Sequence, residues 1–376
     1  MSNQLTARMN THPHPDVMPP QFYGRPTFPL EWSELNWLQE LPKDTYFALW
    51  ARIPSILPIK FNLPLGHSLY VITFHQEMFD LDWIVEQSNR IDAPIVILND
   101  GSCYNFPFKS NVHFFNYYSW HYHMETMMSW FPNQQPRQIK YKFSAVCNRI
   151  TQAKLLVFTA LMEYHHRDQL LVKLGNWLEE KNVHFRQPTG VDLLDQLSAT
   201  FFEKYHGQLI DIDEFNDIAD NYQRVNSNPW QLLYTESALH FTNESHHYSR
   251  MDTDEFGTIV YPGPQYSEKT YKCLIAGTPF IAVGQGHSYK YLRELGFKFD
   301  YGNIDLSWDN DLGNLSRLVS IVNLIKSLAD YTIQDLVEMT KNSTDHNTEH
   351  LWSGKFGQQC RLHNEQTANQ VISKFK

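Results

Sequence analysis

The sequence predicts an α/β protein of two halves, each built on a parallel sheet. Three observations predict it. Short apolar runs of strand length alternate with amphipathic helical stretches, the rhythm of βαβ units. The 376 residues suit two domains at about 100–200 residues each. A second set of elements begins at Tyr141, after a junction near residue 140. The expected divisions are a Pro-rich arm over 1–30, an N-terminal half over 31–140, a C-terminal half over 141–345 and a helical tail over 346–376. The default ligand site for two such halves is a cleft where strand C-termini and helix N-termini converge.

Composition narrows the class. Residues of AVILMFWYC make up 42% and charged residues 19%, enough apolar material for real cores and too much for wholesale disorder. No run approaches eighteen apolar residues, so no membrane span is expected. Met1 to Pro20 is polar and holds Pro13, Pro15, Pro19 and Pro20, which predicts no secretory signal. Cys103, Cys147, Cys273 and Cys360 form no CxxC, so neither a zinc knuckle nor a disulfide framework is expected, and the setting reads as cytoplasmic. The net charge of −10 argues against sequence-independent DNA binding over the whole surface. Yet from Gly101 to Met162 the one acid is Glu125, against Lys109, Arg137, Lys140, Lys142, Arg149 and Lys154. That electropositive window suggests a locally held anionic ligand.

The elements follow in order. Trp32, Leu35, Leu38 and Leu41 give a helix over 31–41. Leu69 to Phe74 is a buried strand and Leu81 to Ile91 an amphipathic helix. Pro94 to Leu98 is a second strand, ended by the Asn99-Asp-Gly101 turn, and 111–118 a third. Tyr141 to Val146 starts the second set. Helices are expected at 150–164 and 191–205, and 167–181 suits strand or helix. Asp211 to Asp220 is a short acidic helix or loop, and Trp230–Tyr234 and Thr258–Tyr261 are strands. Ser267 caps a helix over 268–276, Gly277 ends it and Pro279–Val283 is a buried strand. Gly284-Gln-Gly286 turns into a helix over 287–295, which Gly296 stops. Helices over 312–328, 332–340 and 361–375 complete the chain.

The richest chemistry lies in Tyr266-Ser-Glu-Lys-Thr-Tyr-Lys272. With Ser267 as cap, Glu268 and Lys269 lie in the first helical turn and Lys272 one turn on. A helix N-terminus offers N–H groups and partial positive charge, and two lysines make it a pyrophosphate cradle. Glu268 in the same turn suits both hydroxyls of a ribose. Ser-x-x-Thr capping with a surface lysine pair accounts for the same residues without a ligand.

Ser267-Glu-Lys-x-x-Lys272, Gly277-x-Pro-Phe-Ile-x-Val-Gly284 and Leu292-x-x-Leu-Gly-Phe297 together resemble the donor half of a glycosyltransferase-like family of tailed phages and some bacteria. The resemblance continues in Phe143-Ser-x-x-x-Asn-Arg149, Thr235-Glu-Ser237, Ile304-Asp-x-Ser-Trp-Asp309 and Arg317, and so covers about residues 70–330. The Glu-Lys helix start is also similar to the donor motif of α1,3-fucosyltransferases. The resemblance implies the GT-B architecture, two Rossmann-like domains facing across a cleft. It implies a hexosyl- or pentosyltransferase that uses a nucleoside-diphosphate sugar, taken as UDP-linked, and requires no further cofactor or metal. Glu268 would hold the ribose, Lys269 and Arg149 the diphosphate with Lys272 assisting, and Tyr266 would lie near base or ribose. Glu236 falls where the fucosyltransferase-like donor half has Glu-Asn-Ser, although the triplet here is Glu-Ser-Ala. The phage likeness implies a 5-hydroxymethylated pyrimidine of DNA, such as hydroxymethylcytosine, as acceptor in the host cytoplasm. A surface polysaccharide or lipopolysaccharide is the competing acceptor, and a binding module without turnover the reading from another class.

Other motifs are weighed against this one. Gly284-Gln-Gly286 lacks the third glycine of GxGxxG, so a nicotinamide site is not expected. Gly277 and Gly284 permit tight turns around a donor. Asp80-Leu-Asp82, Asp211-Ile-Asp213, Asp252-Thr-Asp254 and Asp309-Asn-Asp311 match the Asp-x-Asp metal clamp, but solvated loops explain them as well. His121/His123, His165/His166 and His246/His247 lack metal-site spacing. The catalytic base is sought at strand ends: Glu77 or Asp100 first, His75 next, each also explained by a turn or a helix start. The aromatic run Phe106, Phe108, Phe114, Phe115, Tyr117, Tyr118, Trp120, Tyr122 and Trp130 suits core packing, or stacking on a sugar or base.

Overall fold

The computed structural model describes residues 37, 40–41, 46–52, 62–63, 65–75, 81–99, 109–117, 128, 137–177, 188–208, 210, 233–244, 266, 268–311 and 313–375. They form two compact α/β units. One gathers the described residues before 127 and from 356 onward, the other those of 127–258 and 264–355.

The first unit carries a parallel sheet in sequential order: β1 (Tyr46–Arg52), β2 (Leu69–His75), β3 (Ile95–Asn99) and β4 (Val112–Asn116). Helix α1 (Leu81–Arg90) connects β2 to β3, and the Asn111 amide closes its C-terminus by donating to the carbonyl of Ile91 at 2.7 Å. The core joins Leu41, Leu69, Val71, Val96, Leu98 and Tyr117 to Val371, which comes from the far end of the chain.

In the second unit the sheet order is β6-β5-β7-β8, all parallel: β5 (Tyr141–Arg149), β6 (Leu170–Trp177), β7 (Ser237–Asn243) and β8 (Phe280–Val283). Thr151 caps α2 (Gln152–Tyr164), whose residues Ala153 to Leu161 are all buried, and α2 packs against α3 (Asp192–Lys204) and the later helix Asn314–Ser327. Helices α4 (Glu268–Ala276) and α5 (Ser288–Glu294) flank β8. Helices α6 (Asn314–Ser327) and α7 (Ile333–Trp352) follow, and α8 (Lys355–Phe375) returns to the first unit. There the Thr367 hydroxyl and His363 Nε2 both donate to the carbonyl of Asn116, at 3.3 and 3.2 Å.

The sequence-based expectations hold for the α4–β8–α5 block, where Gly277 (φ +63°) and Gly296 (φ +90°) supply the left-handed stops. The stretch left open as strand or helix, 167–181, holds strand β6 over Leu170–Trp177. Two expectations differ. Of the strand expected at Trp230–Tyr234, residues 230–232 lie outside the described residues and Leu233 and Tyr234 are helical; the strand is β7, which begins at Ser237. Its Ser237, His240, Thr242 and Asn243 are polar yet buried, because each finds a partner inside the sheet. Helix α7 runs twelve residues beyond the expected Thr340, to Trp352. The buried face of that extension is Ser343, Asn347 and Leu351, and the first two hydrogen-bond the backbones of Asp300 and Lys298 as a neighbouring strand would. The arm over 1–30, most of the 31–41 helix, the 211–220 segment and the 258–261 strand lie outside the described residues. No helix among the described residues is long and apolar enough to cross a membrane.

Candidate functional site

Sheet order singles out one edge. In the second unit the first strand, β5, lies beside the third, β7, so successive crossovers leave them in opposite directions. Outside the carboxyl ends of such a pair the flanking loops part and leave a crevice, the usual ligand site of an open α/β sheet. The first sheet, in sequential order, has no such point among the described residues.

Three segments meet at that edge. Arg149 is the last residue of β5. Asn243 ends β7, and the Glu244 carboxylate beyond it accepts a hydrogen bond from the Thr270 hydroxyl in the first turn of α4. The start of α4 is thus anchored at the carboxyl edge, with Lys269 in its first turn and Lys272 one turn on, both half-buried. Tyr266, just ahead of the helix, is buried, stacks on Tyr291 at 5.6 Å and donates its hydroxyl to the carbonyl of Ser288. That bond ties the start of α4 to the β8–α5 turn, Gly284 to His287.

The turn is held from behind by the 305–317 segment. The Asp309 carboxylate accepts the N–H of Tyr289 (3.0 Å) and Lys290 (3.1 Å), and its carbonyl accepts that of His287 at 2.6 Å. Arg317, fully buried, donates to the carbonyl of Gly284 at 3.2 Å and to that of Asp311 at 3.0 Å. The N-terminus of α5 is therefore filled by a protein carboxylate, which argues against a dinucleotide phosphate there. Burial pushes the Asp309 carboxyl up to about 6, against the pull of the backbone N–H groups of Tyr289, Lys290 and Ser288 and of Arg293.

A pH dependence follows. With its folded value above the ordinary one near 4, Asp309 binds more protons folded than unfolded across that interval, so its contribution to stability falls as pH rises from about 4 through 6. The displacement corresponds to about 3 kcal/mol. Asp309→Asn is expected to remove it: relative to the parent, the variant gains about that much stability between pH 4 and 7, read from urea midpoints at each pH. A parallel pair of curves would show that Asp309 does not titrate in that window.

The expected donor residues divide. Tyr266, Lys269 and Lys272 lie together at the start of α4, and Gly284 after β8 and Arg149 at the end of β5 share the carboxyl edge by their backbone positions. Glu268 is the first residue of α4, and Ser267 lies outside the described residues. Glu236 does not join them. It precedes β7, so eight residues at about 3.3 Å each place it about 26 Å away, at the opposite edge, where its carboxylate pairs with Lys140 at 2.7 Å. His75 ends β2 in the first unit, and Glu77 and Asp100 lie outside the described residues.

The electropositive window is not a basic face. Arg137 is half-buried and donates to the carbonyls of Gly277 and Ser237, Lys142 is buried on that of Ala329, Lys154 is buried, and Lys109 holds that of Ser88. With Lys140 on Glu236, these cations serve the fold. Of the aromatic run in that window, Tyr117 is core and Phe115 packs against it, while Phe106, Phe108, Tyr118, Trp120, Tyr122 and Trp130 lie outside the described residues.

Sequence reasoning missed Glu244 as a site residue and the clamping roles of Asp309 and Arg317. A carboxylate directly after a buried strand was the available signal for Glu244, hidden by the misplaced strand. Elsewhere, Ser144 lies 2.7 Å from His240 Nδ1, a serine–histidine pair, but both are sealed in the core and burial lowers the imidazole to about 3. Burial likewise raises the thiols of Cys147, to about 12, and Cys273. Neither is a nucleophile at neutral pH. Among the described residues no three His, Cys, Asp or Glu side chains gather as a metal site. Asp311 of the Asp309-Asn-Asp311 pair accepts from the Gly313 N–H at 2.7 Å.

Comparison of the chain with protein-family models, curated proteins and solved structures returns no match.

Proposed function

We propose that the second unit binds a nucleoside-diphosphate sugar at the carboxyl edge of β5 and β7, and that the chain is a glycosyltransferase. One observation carries the reading. The start of α4, with Lys269 and Lys272, is anchored through Thr270 to Glu244 at the end of β7, one of the two strands at the sheet's switch point, and Tyr266 ahead of it is tied to Ser288 of α5. Helix N–H groups and two ammonium groups suit a diphosphate. When the sugar–oxygen bond breaks, the leaving diphosphate gains negative charge, and fixed cations stabilise it most at that moment. Lys269, Lys272 and Arg149 can supply that charge without a metal ion. The acceptor hydroxyl attacks the sugar carbon and loses its proton to a base, for which Glu77, Asp100 and His75 stay the candidates. The GT-B arrangement, with the acceptor on the first unit, is part of this proposal.

The proposed acceptor is a 5-hydroxymethylated pyrimidine in DNA, flipped from the stack to reach the sugar. It rests on the phage likeness alone, since Arg137, Lys140 and Lys142, which pointed to a polyanion, are engaged in the fold and Arg149 is assigned to the donor. The test supplies labelled UDP-sugars, and then other nucleoside-diphosphate sugars, with hydroxymethylcytosine DNA or with oligosaccharide. Label on DNA, weakened steeply by salt, is expected. Label on oligosaccharide alone would move the acceptor to a polysaccharide. Nucleoside-diphosphate binding without any sugar release would leave a binding module.

A further inference from the structure

Asn243, the last residue of β7, is 1% exposed, yet its Oδ1 has no hydrogen-bond partner among the described residues. Burying an acceptor without a donor is costly and uncommon. Ser237, His240 and Thr242, earlier in the same strand, all find partners inside the sheet. The register shows what differs at residue 243. Strands β5 and β7 pair from Tyr141 with Ser237 to Ala145 with Phe241, and beyond that level they part. The Asn243 amide stands in the opening. Its Nδ2 donates across the gap to the carbonyl of Val146 at 3.2 Å and to Cys147 Sγ at 3.4 Å. A carbonyl only accepts, so the amide cannot be turned round, and the acceptor is the end left facing the opening.

Chemistry and position narrow what completes it. Oδ1 needs an N–H or O–H, which rules out the oxygens of an ionised phosphate. The neighbouring Glu244 accepts from Thr270 in the first turn of α4, where the diphosphate is proposed to lie, whereas Asn243 reaches to β5 on the other side of the opening. A diphosphate at α4 therefore meets Asn243 through the group bonded next to it. In a nucleoside-diphosphate sugar that group is the ribose at one end and the transferred sugar at the other, and both carry hydroxyls.

We propose that Asn243 contacts the donor: its Oδ1 accepts a hydrogen bond from a hydroxyl of the ribose or of the transferred sugar. This rests on the donor reading given above. Calorimetric titrations well below the melting temperature test it with UDP, GDP, ADP and CDP and with the glucose conjugate of each, in the full chain and in Asn243→Leu. Asn243→Ala, which leaves room for a water on the Val146 carbonyl, serves if the leucine variant does not fold. For the diphosphate that binds best, a ribose contact raises the Kd of diphosphate and conjugate alike by about five- to tenfold, the usual effect of losing one buried hydrogen bond. Its 2′-deoxy or 3′-deoxy form then binds parent and variant equally. A contact to the transferred sugar raises the Kd of the conjugate alone. Kd values all within about twofold of the parent's would mean that Asn243 only closes the gap beside Val146, which overturns this inference and leaves the donor reading standing. An equal loss on the intact diphosphate and on both deoxy forms moves the contact to the base and overturns it as well. A parent chain that binds none of these ligands overturns both.

Discussion

Lys269→Ala is expected to lower kcat for sugar transfer by about 10²–10³, the usual loss when one fixed donor to a developing anion is removed. The KM for the donor should rise much less, because the charge that Lys269 meets is largest in the transition state. Removing Lys272 as well should lower the rate further by less than the product of the single effects, since both would act on one leaving group. Lys269→Arg should keep part of the activity by keeping the charge. The fold should survive: Lys269 and Lys272 are half-buried on the outer side of the first turns of α4, while Thr270, Tyr271, Cys273 and Leu274 fill the core. Initial rates at saturating and limiting donor, with melts for each variant, separate these effects. Unchanged turnover in Lys269→Ala would remove the transferase reading.

The second large effect concerns stability. Arg317 is fully buried, and its guanidinium serves the carbonyls of Gly284, Asp311 and Gly313 and the side chain of Asn314. Burial lowers its pKa to about 10, opposed by Asp311 and Asp309, so it stays charged at neutral pH. Arg317→Met keeps most of the volume but strands those carbonyls and removes a cation near Asp311 and the buried Asp309. Breaking such a buried network costs about 3–5 kcal/mol, which at this size lowers Tm by about 10 °C. Arg317→Lys should recover only part, because an ammonium cannot span acceptors on both sides of the turn. Calorimetric melts check this. A loss below about 1 kcal/mol would show that the 284–287 turn does not depend on Arg317.

How far the sequence could be read follows from where each signal sits. The α4–β8–α5 block was legible because its signals are local: apolar runs of the right length, with glycines at the stops. The lysine pair was legible for the same reason, since helical spacing alone puts Lys269 and Lys272 near one helix start. Strand β7 was not, because a central strand with Ser237, His240, Thr242 and Asn243 looks exposed until the partners inside the sheet are known. The later half of α7 hides for the same reason, its Ser343 and Asn347 being spent on a backbone more than forty residues away. Strand β1 is apolar nearly throughout, so periodicity alone could not separate it from a helical segment. Glu236 was placed by a triplet likeness, and only the sheet register shows that it opens β7 while Glu244 closes it. Asp309 and Arg317 stood in the motif without a role, because the turn they clamp lies about 20–30 residues upstream.

The most direct test of the donor site is a crystal structure of the chain with the nucleoside diphosphate that binds it best. The distal phosphate is expected at the start of α4, with an oxygen about 2.7–3.2 Å from a first-turn backbone N–H and from Lys269 Nζ. A ligand bound elsewhere, with the two lysines turned from it, would remove the donor site from α4.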